Sequence, residues 1–180
     1  MPLDTITVDT QDHPEYAVIW LHGLGASGHD FEPIVEQLDL PENLRVRFIF
    51  PHAPKRPITL NNGLSLQAWY DIFGLDMHSP QDEHGLLQSS SDICELIDQL
   101  VNSGIPAQRI ILAGFSQGGA QGLYTGLSCN YRLAGILAIS CWLPLHQKAP
   151  DYATKTDRSL AILLLHGICL LYTSPSPRDS

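Results

Sequence analysis

The sequence predicts an α/β fold, a mostly parallel sheet with helices on both faces, on three observations. Five short apolar runs recur along the chain, amphipathic helical patterns lie between them, and glycine-rich turns follow two of the runs. Strands that alternate with helices form βαβ units, whose crossovers are right-handed and whose sheet is covered on both sides.

Thr5 to Val8, polar at alternate positions, is expected as an antiparallel edge strand. The five runs follow: Tyr16 to Leu21, Val46 to Phe50, Arg109 to Ala113, Ala134 to Ile139 and Leu160 to Leu165. Each has strand length and little alternation, as strands buried on both faces do. Phe31, Ile34, Val35 and Leu38 fall at i, i+3, i+4 and i+7 and predict a helix after the first run. From Pro51 to about Gly85 the chain carries Pro54, Pro57, Asn61-Asn62-Gly63, Gly74 and Pro80 without a helical period. That stretch is expected as a long, functional loop over the sheet edge. Ile93, Ile97, Leu100 and Val101 repeat the helical period until Gly104-Ile105-Pro106 stops it, and Ala120 to Leu127 is competent for a further helix.

A chain of 180 residues suits one domain. With 44% hydrophobic and 16% charged residues it is too apolar for a disordered chain. Its longest apolar stretches, Leu133 to Leu145 and Leu160 to Tyr172, are interrupted and fall short of the roughly 18 residues of a span, so no stable membrane insertion is expected. No Lys or Arg precedes Arg45, so the basic start of a secretory signal is missing and a cytoplasmic address is expected. The 10 basic and 19 acidic residues give a net charge of -9, which repels polyanions and argues against nucleic acid as a partner. Cys94, Cys129, Cys141 and Cys169 have neither C-x-x-C spacing nor neighbouring ligands. They are expected as free structural thiols, with no metal site.

Two glycine motifs compete for function. Gly23-Leu24-Gly25-Ala26-Ser27-Gly28 matches G-x-G-x-x-G, but a dinucleotide site also needs an acid about 20 residues on, at the end of the second strand. No acid lies between Leu44 and Gln67, which leaves nucleotide binding as a minor alternative. Gly114-Phe115-Ser116-Gln117-Gly118-Gly119 follows an apolar run and precedes a helical stretch, the context of a G-x-S-x-G nucleophile elbow. A serine on such a turn projects its hydroxyl above the sheet, while Gly114 and Gly118 remove Cβ atoms that would collide. The helix N-terminus then aims N–H groups at a developing oxyanion. Leu24 N–H, also at the carboxyl edge of the sheet, supplies a second donor beside Gln117 N–H. Without those roles the motif is an ordinary glycine-rich turn.

With Leu21-His22-Gly23-Leu24-Gly25, Pro51-His52-Ala53-Pro54, Trp69-Tyr70-Asp71, Gly114 to Gly119, Ser140-Cys141-Trp142-Leu143-Pro144 and His166-Gly167 in this order, the chain resembles the acyl-protein thioesterase and carboxylesterase family of α/β-hydrolases. The resemblance covers nearly everything from Tyr16 to Gly167. It implies a three-layer α/β-hydrolase domain over residues 1–167 and a cytosolic serine hydrolase without cofactor. Its substrates would be small acyl esters or thioesters, lipidated proteins among them. It also implies Ser116 as nucleophile, with Leu24 and Gln117 as oxyanion donors. Trp69, Trp142 and Leu143 fall in segments that line or brace an acyl groove. A non-catalytic module of the same fold, binding an acyl chain or a partner, is the alternative.

The resemblance further implies an aspartate in a His-Gly-x-x-Asp pattern, and a histidine beyond it. Leu170 stands where that acid would fall. Residues 168–180, which include Thr173-Ser174-Pro175-Ser176-Pro177, are expected as a tail foreign to the family. His22, the imidazole nearest the site, corresponds to a residue that supports the oxyanion loop, so a structural role is expected. A chain of these 180 residues is therefore expected to be nearly inactive, because a serine without a general base keeps its proton.

Overall fold

The structure, a computed structural model, describes residues 2–76, 78–153 and 159–167. Among the described residues eight strands form: β1 (Thr5–Asp9), β2 (Tyr16–Leu21), β3 (Val46–Pro51), β4 (Lys55–Ile58), β5 (Leu64–Gln67), β6 (Ile110–Phe115), β7 (Gly135–Ile139) and β8 (Ala161–Leu165). The two long helices are α1 (Glu83–Asn102) and α2 (Gln117–Ser128). Six strands build one sheet in the order β1-β3-β2-β6-β7-β8, and β4 and β5 pair separately. Every pairing in the large sheet is parallel except that of β1, which runs antiparallel to β3 at the edge with Thr5 opposite Pro51.

The central strands lack alternation because both faces are buried. On β2, Ala17, Ile19 and Leu21 join Ile93, Ile97 and Leu100 of α1 in one core cluster. Val18 and Trp20 point the other way, into a cluster with Phe48, Phe50 and Ala113. That second face is covered by the segment after Ser27, which departs from the expected helix. It forms two 3-10 turns, Gly28–Asp30 and Glu32–Gln37, and turns extended at Leu38. Asp30 Oδ2 accepts from Ser27 N–H at 2.7 Å and from the Ser27 hydroxyl at 2.9 Å, which closes the first turn on itself. Phe31, Ile34, Val35 and Leu38 still pack on the sheet, so the period marked the buried face correctly while the helix type differed.

The long loop holds more structure than its composition suggests. β4 and β5 make a hairpin with Lys55 opposite Gln67 and Ile58 opposite Leu64. Asn62 (φ 54) and Gly63 (φ 78), both in the left-handed region, carry its turn. Asn-Gly is a hairpin signal, but four-residue strands are too short for alternation to stand out. α1 starts as early as Glu83 because Asp82 caps it: Oδ1 accepts from Gly85 N–H and Oδ2 from Asp71 N–H, each at 2.9 Å. At its other end Gly104 (φ 105) and the bond from Ile105 N–H to Leu100 C=O, at 3.0 Å, terminate the helix.

β8 corrects the expectation that all five runs are covered on both faces. All five of its residues are exposed, with Leu163 at 56% and Leu164 at 55%. The helix α2 packs chiefly on β6 and β7. The expectation for residues 168–180 lies outside the described residues.

Candidate active site

Ser116 joins β6 to α2 with φ 54 and ψ -120, a conformation that L residues hold only when their surroundings impose it. Two glycines impose it here. A Cβ on Gly114 would sit 2.5 Å from the Gly118 carbonyl, and one on Gly118 would overlap Leu21 O and lie 2.5 Å from His22 O. The first turn of α2 therefore rests backbone on backbone against the end of β2. Ser116 N–H donates to Ile139 C=O at 2.8 Å, which fixes the junction to β7 as well.

The loop after β2 forms a turn closed by Ala26 N–H to Gly23 C=O at 3.2 Å, with Gly25 at φ 74 in its third position. Gly25 N–H donates to Gln67 C=O of β5 at 2.8 Å, so the hairpin supports this loop. Among the described residues, neither Leu24 N–H nor Gln117 N–H is spent on a protein acceptor. Both residues line one cavity of about 280 Å³ together with Ser116 and Trp142. Tyr70, from the Trp69-Tyr70-Asp71 segment, forms an apolar wall with Ile72 and Phe73, two residues that sequence reasoning did not single out. The signal available was Ile72-Phe73 and Leu75, apolar residues within a stretch otherwise marked by glycine and proline.

The glycine fingerprint has other physical reasons than a nucleotide. Gly28 leads into 3-10 turns instead of a long helix, and its Cβ would lie 2.5 Å from Phe50 O. It lets the loop pack on β3, and no α-helix N-terminus stands behind the motif to receive a pyrophosphate.

Of the three residues expected in segments that line or brace the groove, Trp142 lines the cavity and Trp69 and Leu143 do not. Trp69 is wholly buried and does not line the cavity. Its indole N–H donates to His22 C=O at 2.8 Å, and its backbone N–H donates to Gln117 Oε1 at 3.0 Å. Leu143 packs, partly buried, on the cluster of Ala120, Leu123 and Ile136. An aromatic between loops saturates its polar edge before it offers a wall, which a motif position does not reveal.

His22 is buried beside Trp69, with ring centroids 5.3 Å apart. Its Nε2 accepts from Ala53 N–H at 3.0 Å, so the proton sits on Nδ1, which donates to Gly23 C=O at 2.8 Å. This imidazole ties the loop to β3 and has no free nitrogen for Ser116. None of the eight histidines and no carboxylate among the described residues hydrogen-bonds the Ser116 hydroxyl. Burial lowers the His22 pKa from its ordinary 6.5, against the opposing pull of the Gly23 bond. The folded protein then keeps His22 neutral while the unfolded chain takes up a proton below about 6.5. Stability from the neutral ring is full above that pH and falls as pH drops through it toward the folded value. Urea midpoints at pH 7.5 and pH 5 should separate more for the wild type than for His22→Gln, and equal separations would count against this assignment.

Cys94, Cys129 and Cys141 are free thiols, which burial pushes up to about 11, 11 and 12. They remain protonated near neutrality and are poor nucleophiles. Among the described residues no group of three or more His, Cys, Asp or Glu side chains could hold a metal ion, and no helix is long and apolar enough to cross a membrane.

Known proteins place this geometry. The sequence model of the phospholipase/carboxylesterase family matches residues 4–172. Acyl-protein thioesterase 1 of Neurospora crassa is 43% identical over an alignment of 158 residues that covers 83% of this chain and 64% of that protein. The Schizosaccharomyces pombe acyl-protein thioesterase 1 is 38% identical over 91% of this chain and 72% of its own length. Among solved structures, Zea mays acyl-protein thioesterase 2 superposes with a TM-score of 0.78 at 27% identity, covering 91% of this chain and 75% of that one. Arabidopsis thaliana SOBER1 gives a TM-score of 0.79 at 32% identity, with 84% and 73% covered. A parallel sheet between helical layers, with a strained serine at a strand–helix junction, defines an α/β-hydrolase fold. The chain belongs to the phospholipase/carboxylesterase family within it. It spans just under two thirds of the length of the Neurospora crassa relative.

Proposed function

We propose that this protein is a cytoplasmic serine hydrolase of carboxylic esters or thioesters, acting through an acyl-Ser116 intermediate stabilised by Leu24 N–H and Gln117 N–H. The observation that carries the reading is the strained Ser116 at an apolar cavity also lined by Leu24 and Gln117, whose backbone N–H groups are uncommitted among the described residues. In such a site Ser116 Oγ attacks the acyl carbon and the carbonyl oxygen gains negative charge beside the two donors. The alcohol or thiol then leaves, and water releases the acid. Similarity to proteins named acyl-protein thioesterase points to acyl chains, lipidated proteins included, as the substrates. An apolar wall of Tyr70, Ile72 and Phe73 suits a hydrocarbon chain. The three free thiols suit a reducing compartment.

A fluorophosphonate probe tests the nucleophile on a form of the protein extended beyond Gly167 to the length of its relatives. Labelling is expected in the wild type and absent in Ser116→Ala. Labelling that persists in the variant would remove Ser116 from the role. No labelling in the wild type, with acyl-chain binding retained, would favour a non-catalytic binding module.

A further inference from the structure

The two oxyanion donors belong to separate elements, the loop after β2 and the start of α2, and a donor pair works only if its spacing is held. One residue, wholly buried and outside the cavity, is bonded to both elements, to the loop through its side chain and to α2 through its backbone. The Trp69 indole N–H donates to the carbonyl of His22, two residues before Leu24. The Trp69 backbone N–H donates to Gln117 Oε1, while Gln117 Nε2 donates to the next carbonyl, that of Tyr70, at 2.7 Å. The Gln117 amide therefore grips the Trp69-Tyr70 backbone from both sides. Trp69 is itself held from α1, whose Ser89 hydroxyl donates to its carbonyl, and by the packing of its ring on His22. His22 in turn fixes Gly23 through its Nδ1–H.

We infer that Trp69 is the positioning residue of the oxyanion hole: its indole and the Gln117 amide clamp set the distance between Leu24 N–H and Gln117 N–H without touching substrate. The inference rests on the reading of those two N–H groups as oxyanion donors. It assigns the Gln117 side chain a task separate from that of its backbone, and it predicts a specific kind of loss. Removing the indole N–H leaves the cavity wall in place, because Trp69 is not part of it. The His22 carbonyl loses its partner and the loop is free to drift from α2. Small displacements of this kind weaken interactions with a developing anion far more than contacts along a hydrocarbon chain.

The test needs no turnover and uses the 180-residue chain. Octylphosphonate presents anionic oxygens to the two donors, whereas octanol of the same chain length does not, so the ratio of their affinities by calorimetry reads the hole separately from the groove. The wild type should favour the phosphonate. Trp69→Phe should lower phosphonate affinity about tenfold and leave octanol within about twofold. Gln117→Ala keeps the backbone donor and removes the amide clamp. Although Gln117 also lines the cavity, its loss should fall more on the phosphonate than on octanol, and it serves if the Trp69 variant fails to fold. Equal losses for both ligands, or no loss in either variant, would overturn the inference while leaving the donor reading intact. A wild type without preference for the phosphonate would overturn the donor reading itself, and the clamp with it.

Discussion

Gly118→Ala should cost about 3 kcal/mol or more in urea unfolding, while Gly122→Ala, one turn farther along α2, should be neutral or stabilising by up to about 1 kcal/mol. The contrast isolates sterics from helix propensity. At Gly118 the added methyl meets backbone: it overlaps Leu21 O and stands 2.5 Å from both Leu21 C and His22 O. Those atoms cannot retreat. Leu21 is paired with Gly114 of β6, β2 is also paired with β3, and the His22 carbonyl holds the Trp69 indole. At Gly122 the same methyl meets only Leu21 Cδ1 at 3.8 Å and Leu112 Cβ at 4.0 Å, ordinary van der Waals contact. Alanine then gains the propensity that glycine lacks. Similar midpoints for the two variants would show that α2 can lift off β2, and that the elbow is not built on this approach.

The contrast also indicates which parts of the molecule the sequence makes legible. Gly114 and Gly118 were readable because the elbow needs them for a backbone reason that any G-x-S-x-G turn shares. The core strands were readable because burial on both faces turns them into apolar runs with little alternation, as in β2. The 3-10 turns after Ser27 were not. Helical period reports which residues face the sheet, and Phe31, Ile34, Val35 and Leu38 do so in either geometry. The hairpin of β4 and β5 was hidden by its length, though Asn62-Gly63 announced the turn. Trp69 stayed open between lining and bracing because its role depends on what its indole N–H finds in three dimensions. Nothing in Trp69-Tyr70-Asp71 separates a wall from a brace. The pattern does place Tyr70, the next residue, at the cavity, with its neighbour turned into the core.

A chain of these 180 residues alone should hydrolyse p-nitrophenyl octanoate at least about 10⁴-fold more slowly than a form extended to the relatives' length. Among the described residues the elbow, the loop turn and the cavity are all formed, yet Ser116 Oγ has neither an imidazole nor a carboxylate as hydrogen-bond partner. A serine hydroxyl that keeps its proton is a weak nucleophile, and the donors at Leu24 and Gln117 act only once negative charge appears. No histidine among the described residues is bonded to Ser116, and three have partners elsewhere. His22 has both nitrogens engaged, His52 accepts from Gly28 N–H at 3.2 Å, and His29 lies against Glu32. His166 is exposed beyond β8, two strands away from Ser116. Removing the base and its orienting acid is not a sum of two losses, since each is of little use without the other. The extended form keeps residues 1–167 and continues differently, so it can supply the acid, which the resemblance puts where Leu170 stands, and a histidine that reaches Ser116. If the two lengths turn over equally, a base already within residues 1–180 serves Ser116. The histidine contacts given above would then have to rearrange when substrate binds.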